Sequence, residues 1–533
     1  MLEADWVIPG DLPPFSQGAV VVRDGVIQAV GPAEQLRRQF PGVKRRAFTG
    51  CALLPGLINA HTHLDYSAFR DFSRPCGFGR WMLRLLLSRS RLSPDDYAVS
   101  ALWGALSCVQ NGVTCVADAS FAGWTTARAL RRAGLRGRVY LEVFGLDDEE
   151  LPATMERLES RLARLETECG GRAEPGLSPH APYTVSPRLY REVVRFARRR
   201  GLRVATHLAE SRAEKEFLRS GRGALALAYR AARFLSGRPW RSRGGWSRLW
   251  GAGLWRGGGG PGRSWQPPRL SPVALAEQVR ALGPDVLAVH CVQVDEVDVQ
   301  RLARNGSPVA HCPRSNLFLQ CGIAPVTEFL AHGVTVGLGT DSLGSNEDLD
   351  MFAEMRAALR ASRIRAEREK TSEVLDEAMV LSLATLGGAR ALGLDKLIGS
   401  LTVGKRADVI AVTLPGAGPL GADTPPPSSA APTCATFPGT TVSLPYQATW
   451  SGAASATSPG GAPAPGSSAS SNPAPGDIVA ALVSRTTGAD VRMTMVDGVI
   501  LYEEGRFLRA DAADVDRAMA AVRAKLGLER LSL

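Results

Sequence analysis

Long apolar runs are absent from this 533-residue chain. No stretch of about 18 uncharged apolar residues occurs, which excludes the usual pattern of a membrane-spanning helix, and no membrane partner is expected. Lysine is scarce, found only at 44, 215, 370, 396, 405 and 525, so the net charge of +11 is almost all arginine. Those arginines are scattered along helical patterns, as at 195, 198, 199 and 200, and Ala, Gly and Pro are abundant beside them. That is a compositional bias without a nucleic-acid motif, so no nucleic-acid partner is expected. Cys-x-x-Cys pairs are missing among the cysteines at 51, 76, 108, 115, 169, 291, 312, 321 and 434. Neither a zinc ribbon nor a disulfide scaffold fits; reduced, buried thiols in a cytoplasmic protein do. The start, Met1-Leu-Glu-Ala-Asp-Trp, lacks a basic segment followed by an apolar run, and no secretory signal is expected. Also missing are a Gly-x-x-x-x-Gly-Lys-Ser/Thr phosphate loop, a strand-linked GxGxxG, HExxH, and the H-x-E with PCxxC of one zinc deaminase class.

What is present reads as a globular protein. Apolar residues make up 45% and charged residues 22%, and the length fits about two to four domains. Residues 18–31 form two β runs around Asp24-Gly25, and residues 491–502 repeat the pattern around Asp497-Gly498; both are hairpin signals. With a strand at 407–413 they predict one sheet domain assembled from both chain ends. Between them, eight apolar runs alternate with helical patterns, at 53–63, 113–120, 138–145, 176–184, 203–210, 286–294, 308–316 and 335–342. Eight such repeats predict a (β/α)8 TIM barrel with its chemistry at the C-terminal strand ends. The expected division is therefore a β-sandwich part at 1–52, a barrel at 53–395, the second sandwich part at 396–413 and 477–510, and a C-terminal helix at 511–533. Two segments fall outside the pattern. Residues 236–270 are rich in Trp, Gly and Arg and read as a loop inserted in the barrel. Residues 414–476, dominated by Pro, Ala, Ser, Gly and Thr, read as a disordered insertion.

Histidine occurs only seven times, and six of the seven stand at or near predicted barrel strand ends. His61 and His63 alternate on the first strand and so face one way. His180 ends the fourth, His207 the fifth, His290 the sixth, and His311 follows the seventh. Asp341 ends the eighth. Three imidazoles and a carboxylate suit one divalent metal, zinc first, with iron or manganese as alternatives. Two neighbouring buried imidazoles without a ligand would be costly, which favours His61 and His63 as ligands, with His207 and Asp341 beside them. Glu210, three residues after His207, is placed to shuttle protons. His311 reads equally as a supporting residue, and His332 as a helix cap.

These motifs resemble a known family. Pro55-Gly-Leu-Ile-Asn-Ala-His-Thr-His63, Thr206-His-Leu-Ala-Glu210, Val289-His-Cys291, His311-Cys-Pro-Arg-Ser-Asn316 and Gly339-Thr-Asp-Ser342 together are similar to the amidohydrolase superfamily. The nearest branch holds cytosine deaminases, triazine hydrolases and S-adenosylhomocysteine deaminases. The resemblance implies a barrel with a composite sheet domain, and one metal held by His61, His63, His207 and Asp341. It further implies Glu210 as proton shuttle, His290 and Asp341 as the groups that hold the hydrolytic water, and His180 and Ser342 at the substrate. The implied reaction is hydrolytic deamination of an aminated heterocycle. Tyr66-Ser-Ala-Phe69 followed by Phe78-Gly-Arg-Trp81 resembles aminofutalosine deaminases, which act on a 6-aminopurine nucleoside. Phe78 and Trp81 are then candidates for ring stacking, and Arg80 and Arg84 for an anionic group. One departure stands out: no acid occurs between Asp71 and Asp95, where S-adenosylhomocysteine deaminases place a ribose-binding carboxylate. The alternatives are hydrolysis of another leaving group, such as chloride on a triazine, and a non-catalytic scaffold on the same fold. The expected partner is a small heterocyclic substrate, and the sequence is also compatible with a homo-oligomer.

Overall fold

Eight strands pair side by side in chain order, every pairing parallel: Leu57–Thr62, Val113–Ser120, Arg136–Val143, Ala173–Pro179, Val204–Leu208, Val286–His290, Val309–His311 and Val336–Leu338. This is the arrangement in a computed structural model that describes residues 1–229, 266–415 and 475–532. Helical segments follow each strand, as Trp124–Ala133 follows the second and Pro187–Arg199 the fourth. Every residue of Val113–Ser120 and of Arg136–Val143 is buried, as a parallel sheet covered on both faces requires. The sheet closes where Thr62 bridges Asp341, the Asp341 amide donating to the His61 carbonyl at 3.0 Å. The fold is a (β/α)8 barrel with a second sheet beside it.

Two of the expected strands differ from their sequence reading. The apolar run at 53–63 is two strands: Arg46–Pro55 belongs to the second sheet, and the barrel strand starts at Leu57. The break falls at Gly56, where a Cβ would stand 2.1 Å from the Thr114 hydroxyl, so the chain changes sheets where no side chain fits. The run at 308–316 is a strand only over Val309–His311; Pro313 then opens the helix Pro313–Phe318. Proline has no amide to lose in a first helical turn, which suits it to that position.

The second sheet has eight strands drawn from both chain ends, with Arg46–Pro55 lying between Leu2–Val7 and Val409–Thr413. Phe15–Arg23 and Val26–Pro32 form one hairpin, and Val491–Val496 and Val499–Glu503 another. In both, the two turn residues are left-handed: Asp24 at φ 52° and Gly25 at 76°, Asp497 at 56° and Gly498 at 75°. That pair of angles matches the right-handed twist of the strands. The two turns also touch, since a Cβ on Gly498 would lie 2.7 Å from the Gly25 Cα.

A buried ion pair ties this sheet to the base of the barrel. Arg136, the first residue of the third barrel strand, donates to Asp408 from Nε at 3.0 Å and from Nη2 at 3.1 Å. Asp408 also accepts the Asp497 amide at 2.8 Å. At the other end, the helix Ala512–Leu526 braces the turn that follows the first barrel strand. Its buried Arg523 donates to the carbonyls of Ala68 at 3.2 Å and Arg70 at 2.6 Å.

Among the described residues no helix is long and apolar enough to cross a membrane, and eight cysteines are free, all buried except the half-buried Cys169. The segments expected at 236–270 and 414–476 lie, apart from their ends, outside the described residues.

Removing Asp408 would leave the buried Arg136 guanidinium without its two hydrogen bonds and with Asp497 only at 3.5 Å. Asp408→Ala is therefore expected to cost about 3 kcal/mol, seen as a lower urea midpoint. A midpoint equal to that of the wild type would show that the pair carries no such weight.

Candidate metal centre

Strand ends supply nearly every polar group at the barrel mouth. His61 and His63 are separated by one residue at the end of the first strand, so both rings turn toward the axis. His207 lies in the fifth strand, and His290 ends the sixth. Asp341 follows the eighth strand and meets the first through the closing bridge. The His63 and His207 Nε2 atoms stand 3.2 Å apart. Asp341 Oδ1 is 3.6 Å from His61 Nε2 and 3.7 Å from His63 Nε2. His290 Nε2 lies 3.8 Å from Glu210 Oε1. Donor atoms of His61, His63 and Asp341 fall within 4.8 Å of one another, as do those of Glu210, His290 and Asp341. The structure thus brings together all four expected ligands and both expected proton-handling groups.

Hydrogen bonds behind the rings decide which nitrogen faces inward. His207 donates Nδ1–H to the His180 carbonyl at 3.0 Å, leaving its Nε2 lone pair free. His290 Nδ1 lies 2.9 Å from Asn316 Oδ1, which likewise leaves Nε2 as an acceptor. Ser315 and Ser345 donate to Asp341 Oδ2 at 2.5 and 3.1 Å, and the Ser342 amide donates to Oδ1 at 2.7 Å. Among the described residues four buried ring nitrogens have no hydrogen-bond partner in the protein: His61 Nε2, His63 Nδ1, His290 Nε2 and His311 Nδ1. Of these, His61 Nε2 and His290 Nε2 stand with Asp341, and orphaned imidazole nitrogens beside a carboxylate fit a divalent cation of borderline softness. The backbone is left-handed at Ala209 (φ 51°), His290 (74°), Cys291 (47°) and Asp341 (58°), so strain gathers at these strand ends.

Burial sets the charges. It pushes His63 down to about 3 and His290 to about 4, and His207 well below its ordinary value, so these rings stay neutral in neutral solution. Asp341 is buried too, but the neighbouring His61, His290 and His63 hold its carboxyl well below the usual range. Glu210 goes the opposite way: burial, with Asp341 and Glu214 nearby, raises it well above an ordinary carboxylic acid. Glu214 accepts the amides of Ala209 at 3.2 Å and Glu210 at 2.8 Å, clamping the turn that aims Glu210.

A cleft opens onto these groups. One wall is the helix Phe78–Arg89, whose Phe78, Trp81, Met82, Leu85, Leu86 and Arg89 line it at helical spacing. Phe78 and Trp81 lie here as expected, although the Trp81 indole is fixed by its N–H to the Gly344 carbonyl at 2.6 Å. Arg84 does not reach the cleft: it falls between the lining positions, is exposed, and donates to the Ser73 hydroxyl at 3.3 Å. Arg80 is exposed as well, and Arg89 is the arginine that the helix turns inward. His180 and Ser342 line the cleft. His311 is buried nearby with Nδ1 unpartnered, and His332 caps its helix at the Glu328 carbonyl, 2.9 Å away. Glu142, absent from the sequence reading, is the last but one residue of the third strand, with its Oε1 3.9 Å from His180 Nε2. Burial raises it to about 8. An acid inside the apolar run Tyr140-Leu-Glu-Val143 was the signal available for it.

Comparison with known proteins places these features in context. The profile of the Amidohydrolase family matches residues 52–501, and that of an imidazolonepropionase-like composite domain of bacteria matches residues 18–42. A 5-methylthioadenosine/S-adenosylhomocysteine deaminase of Desulforudis audaxviator is 34% identical over 406 residues, 76% of this chain and 83% of that protein. The crystal structure of an adenosine deaminase from Xanthomonas campestris with bound zinc superposes with a TM-score of 0.72 at 22% identity, covering 99% of this chain and 98% of its own. Helicobacter pylori aminofutalosine deaminase in complex with methylthio-coformycin gives 0.67 at 18% identity, covering 94% and 99%.

His61→Ala is expected to lose stoichiometric metal while Glu210→Gln keeps it, as read by elemental analysis of purified protein. Because His63 and His207 are already neutral well below pH 6.5, lowering the pH from 8 to 6 protonates neither. Each imidazole of ordinary pKa would weaken binding about fourfold over that interval, so competition with a chelator should show these two adding nothing to the loss. A decline of about 16-fold or more would show both rings titrating normally.

Proposed function

The chain belongs to the amidohydrolase family, and from that premise we propose that it is a metal-dependent hydrolytic deaminase of a 6-aminopurine nucleoside. Membership makes it a hydrolase acting on carbon–nitrogen bonds. The observation that carries the finer reading is the pairing of Glu210, raised by burial, with neutral His290 3.8 Å away, both beside the ligand set. A group that holds its proton and one that accepts a proton are what deamination of an aromatic amidine needs.

His61, His63, His207 and Asp341 are the residues that would hold the ion. A divalent ion there, zinc first and iron or manganese as alternatives, supplies Lewis acidity that makes water nucleophilic near neutral pH. His290 Nε2, kept as an acceptor by the Asn316 contact at Nδ1, orients the water and receives its proton. Glu210 gives its proton to the ring nitrogen beside the amine-bearing carbon. The oxygen joins that carbon, its remaining proton passes to the amine, the amine departs as ammonia, and a carbonyl takes its place; the proton held by His290 then restores Glu210. Trp81 and Phe78 offer flat apolar surface to the purine, and His180 an acceptor nitrogen. The kinship with methylthioadenosine and S-adenosylhomocysteine deaminases supports the adenine-nucleoside class, within which aminofutalosine is the substrate favoured by the Phe78-Gly-Arg-Trp81 motif.

The test is an ammonia-release assay over adenosine, 5′-deoxyadenosine, methylthioadenosine, S-adenosylhomocysteine, aminofutalosine, cytosine and a chlorinated triazine. Release is expected from 6-aminopurine nucleosides, and Glu210→Gln should lower kcat by about 100-fold or more with metal retained. Chloride release from the triazine with no ammonia from any nucleoside would replace this reading. A fully active Glu210→Gln would remove Glu210 from its role.

A further inference from the structure

Glu210 is aimed by its backbone. Among the described residues no hydrogen bond holds its carboxyl, and the ring nitrogen beside it, His290 Nε2, stands 3.8 Å away. The direction of that side chain therefore depends on the turn Leu208-Ala-Glu210 that carries it. The turn is strained at its middle residue. Ala209 is left-handed at φ 51°, a conformation that an alanine keeps only where its surroundings over-determine it.

The surroundings act on both sides of that residue. The Ala209 carbonyl accepts the amides of Val292 at 2.9 Å and Gln293 at 2.7 Å, and the Leu208 carbonyl accepts that of Cys291 at 3.0 Å. Those three donors follow directly on His290, so one network joins the two groups that handle protons. On the amide side stands Glu214, which is 0% exposed. One of its oxygens accepts the Ala209 amide at 3.2 Å, and the other accepts the Glu210 amide at 2.8 Å.

Helix capping does not account for this carboxylate. Ser211-Arg-Ala-Glu214 has the spacing of a capping box, in which the acid returns to the amide of the capping residue. Half of the box is present, since the Ser211 hydroxyl accepts the Glu214 amide at 3.2 Å. The other half is displaced upstream. The Glu214 carboxyl reaches past Ser211 to Ala209 and Glu210, and the Ser211 amide is the weakest of the three attractions on it. A cap alone needs neither that reach nor a fully buried acid.

We propose that Glu214 is the positioning residue of the proton shuttle: its carboxyl oxygens hold the strained turn so that Glu210 faces the ring nitrogen of the substrate and stays in register with His290. This rests on the nucleoside deaminase reading above. Glu214 does not line the cleft, so its effect on turnover passes through Glu210. Glutamine at 214 would set an NH2 group against one of the two amides, and one of the two bonds would be lost. A misplacement of about 1 Å in a group that transfers a proton can lower turnover by about 100-fold.

The experiment compares E214Q, E210Q and the double variant E210Q/E214Q with the wild type, all metal-loaded, on the 6-aminopurine nucleoside that the wild type deaminates fastest. E214Q is expected to lower kcat by about 10-fold to 100-fold, with KM and metal content near wild type. The double variant should be no slower than E210Q alone, because a residue that acts through the Glu210 carboxyl has nothing left to act on. The inference is overturned if E214Q keeps kcat within about threefold of the wild type, or if its loss lies in KM or in metal content. It is equally overturned if the double variant is slower than E210Q by the factor that E214Q shows alone, which would make Glu214 a support for the fold. Should E214Q fail to fold, E214D, whose carboxylate stops a methylene short of the two amides, carries the same comparison. A wild type that deaminates no 6-aminopurine nucleoside would instead strike the deaminase reading, and this inference with it.

Discussion

One hydrogen bond closes the molecule on itself: the Asp341 amide to the His61 carbonyl, 3.0 Å long, with Thr62 bridged to Asp341. Residues 280 positions apart cannot share an ion unless the sheet completes its turn, and this bond is where it does. The same strand-end geometry that closes the barrel places two imidazoles from the first strand against a carboxylate from the last. Ser315 and Ser345 then fix that carboxylate from the far side. The site is therefore a consequence of closure, and closure depends on eight strands being buried on both faces.

Burial has a second effect at the same place. Water is kept from the strand ends, so every ionisable group there is judged by how well its charged form is solvated by the protein. Imidazoles with carbonyl, amide or hydroxyl partners on one nitrogen only become poor bases. Carboxyls without donors, such as Glu210, become poor acids, while Asp341, which faces imidazoles and accepts three hydrogen bonds, stays ionised. One environment thus yields neutral imidazoles, an ionised carboxylate and a protonated carboxylic acid side by side. That separation of roles is the property an acid–base hydrolase needs, and it comes from burial and the neighbouring groups rather than from residue type.

Much of this was legible in the sequence. The period-two placement of His61 and His63, and the single late Asp341 in Gly339-Thr-Asp-Ser342, are local patterns, and the eight apolar runs put them on strand ends. What was not legible depended on three-dimensional crowding. The apolar run at 53–63 carries no sign that Gly56 must face the Thr114 side chain, so it read as one strand where the fold has two. Arg84 and Arg89 are alike in composition, and only the phase of the helix against the barrel decides that Arg89 turns inward. Glu142 looked like one more residue in an apolar strand because only the fold sets it 3.9 Å from His180, just past the end of the next strand.

The parts far from the chemistry bear on it through one turn. Leu64–Phe69 follows directly on His63, and it carries Tyr66 into the cleft wall. A turn of that kind holds its outer carbonyls only if something donates to them, and Arg523, from the last helix of the chain, donates to Ala68 and Arg70. Its guanidinium is 1% exposed, so the bonds are made away from water, where an unmatched partner on either side would be costly. Lys525 on the same helix reaches Asp96, whose carboxylate also caps the helix that packs behind the turn. The helix Ala512–Leu526 therefore acts as a clamp behind the first barrel strand, and the candidate site is held at both ends: by closure at Asp341 and by this helix behind His63.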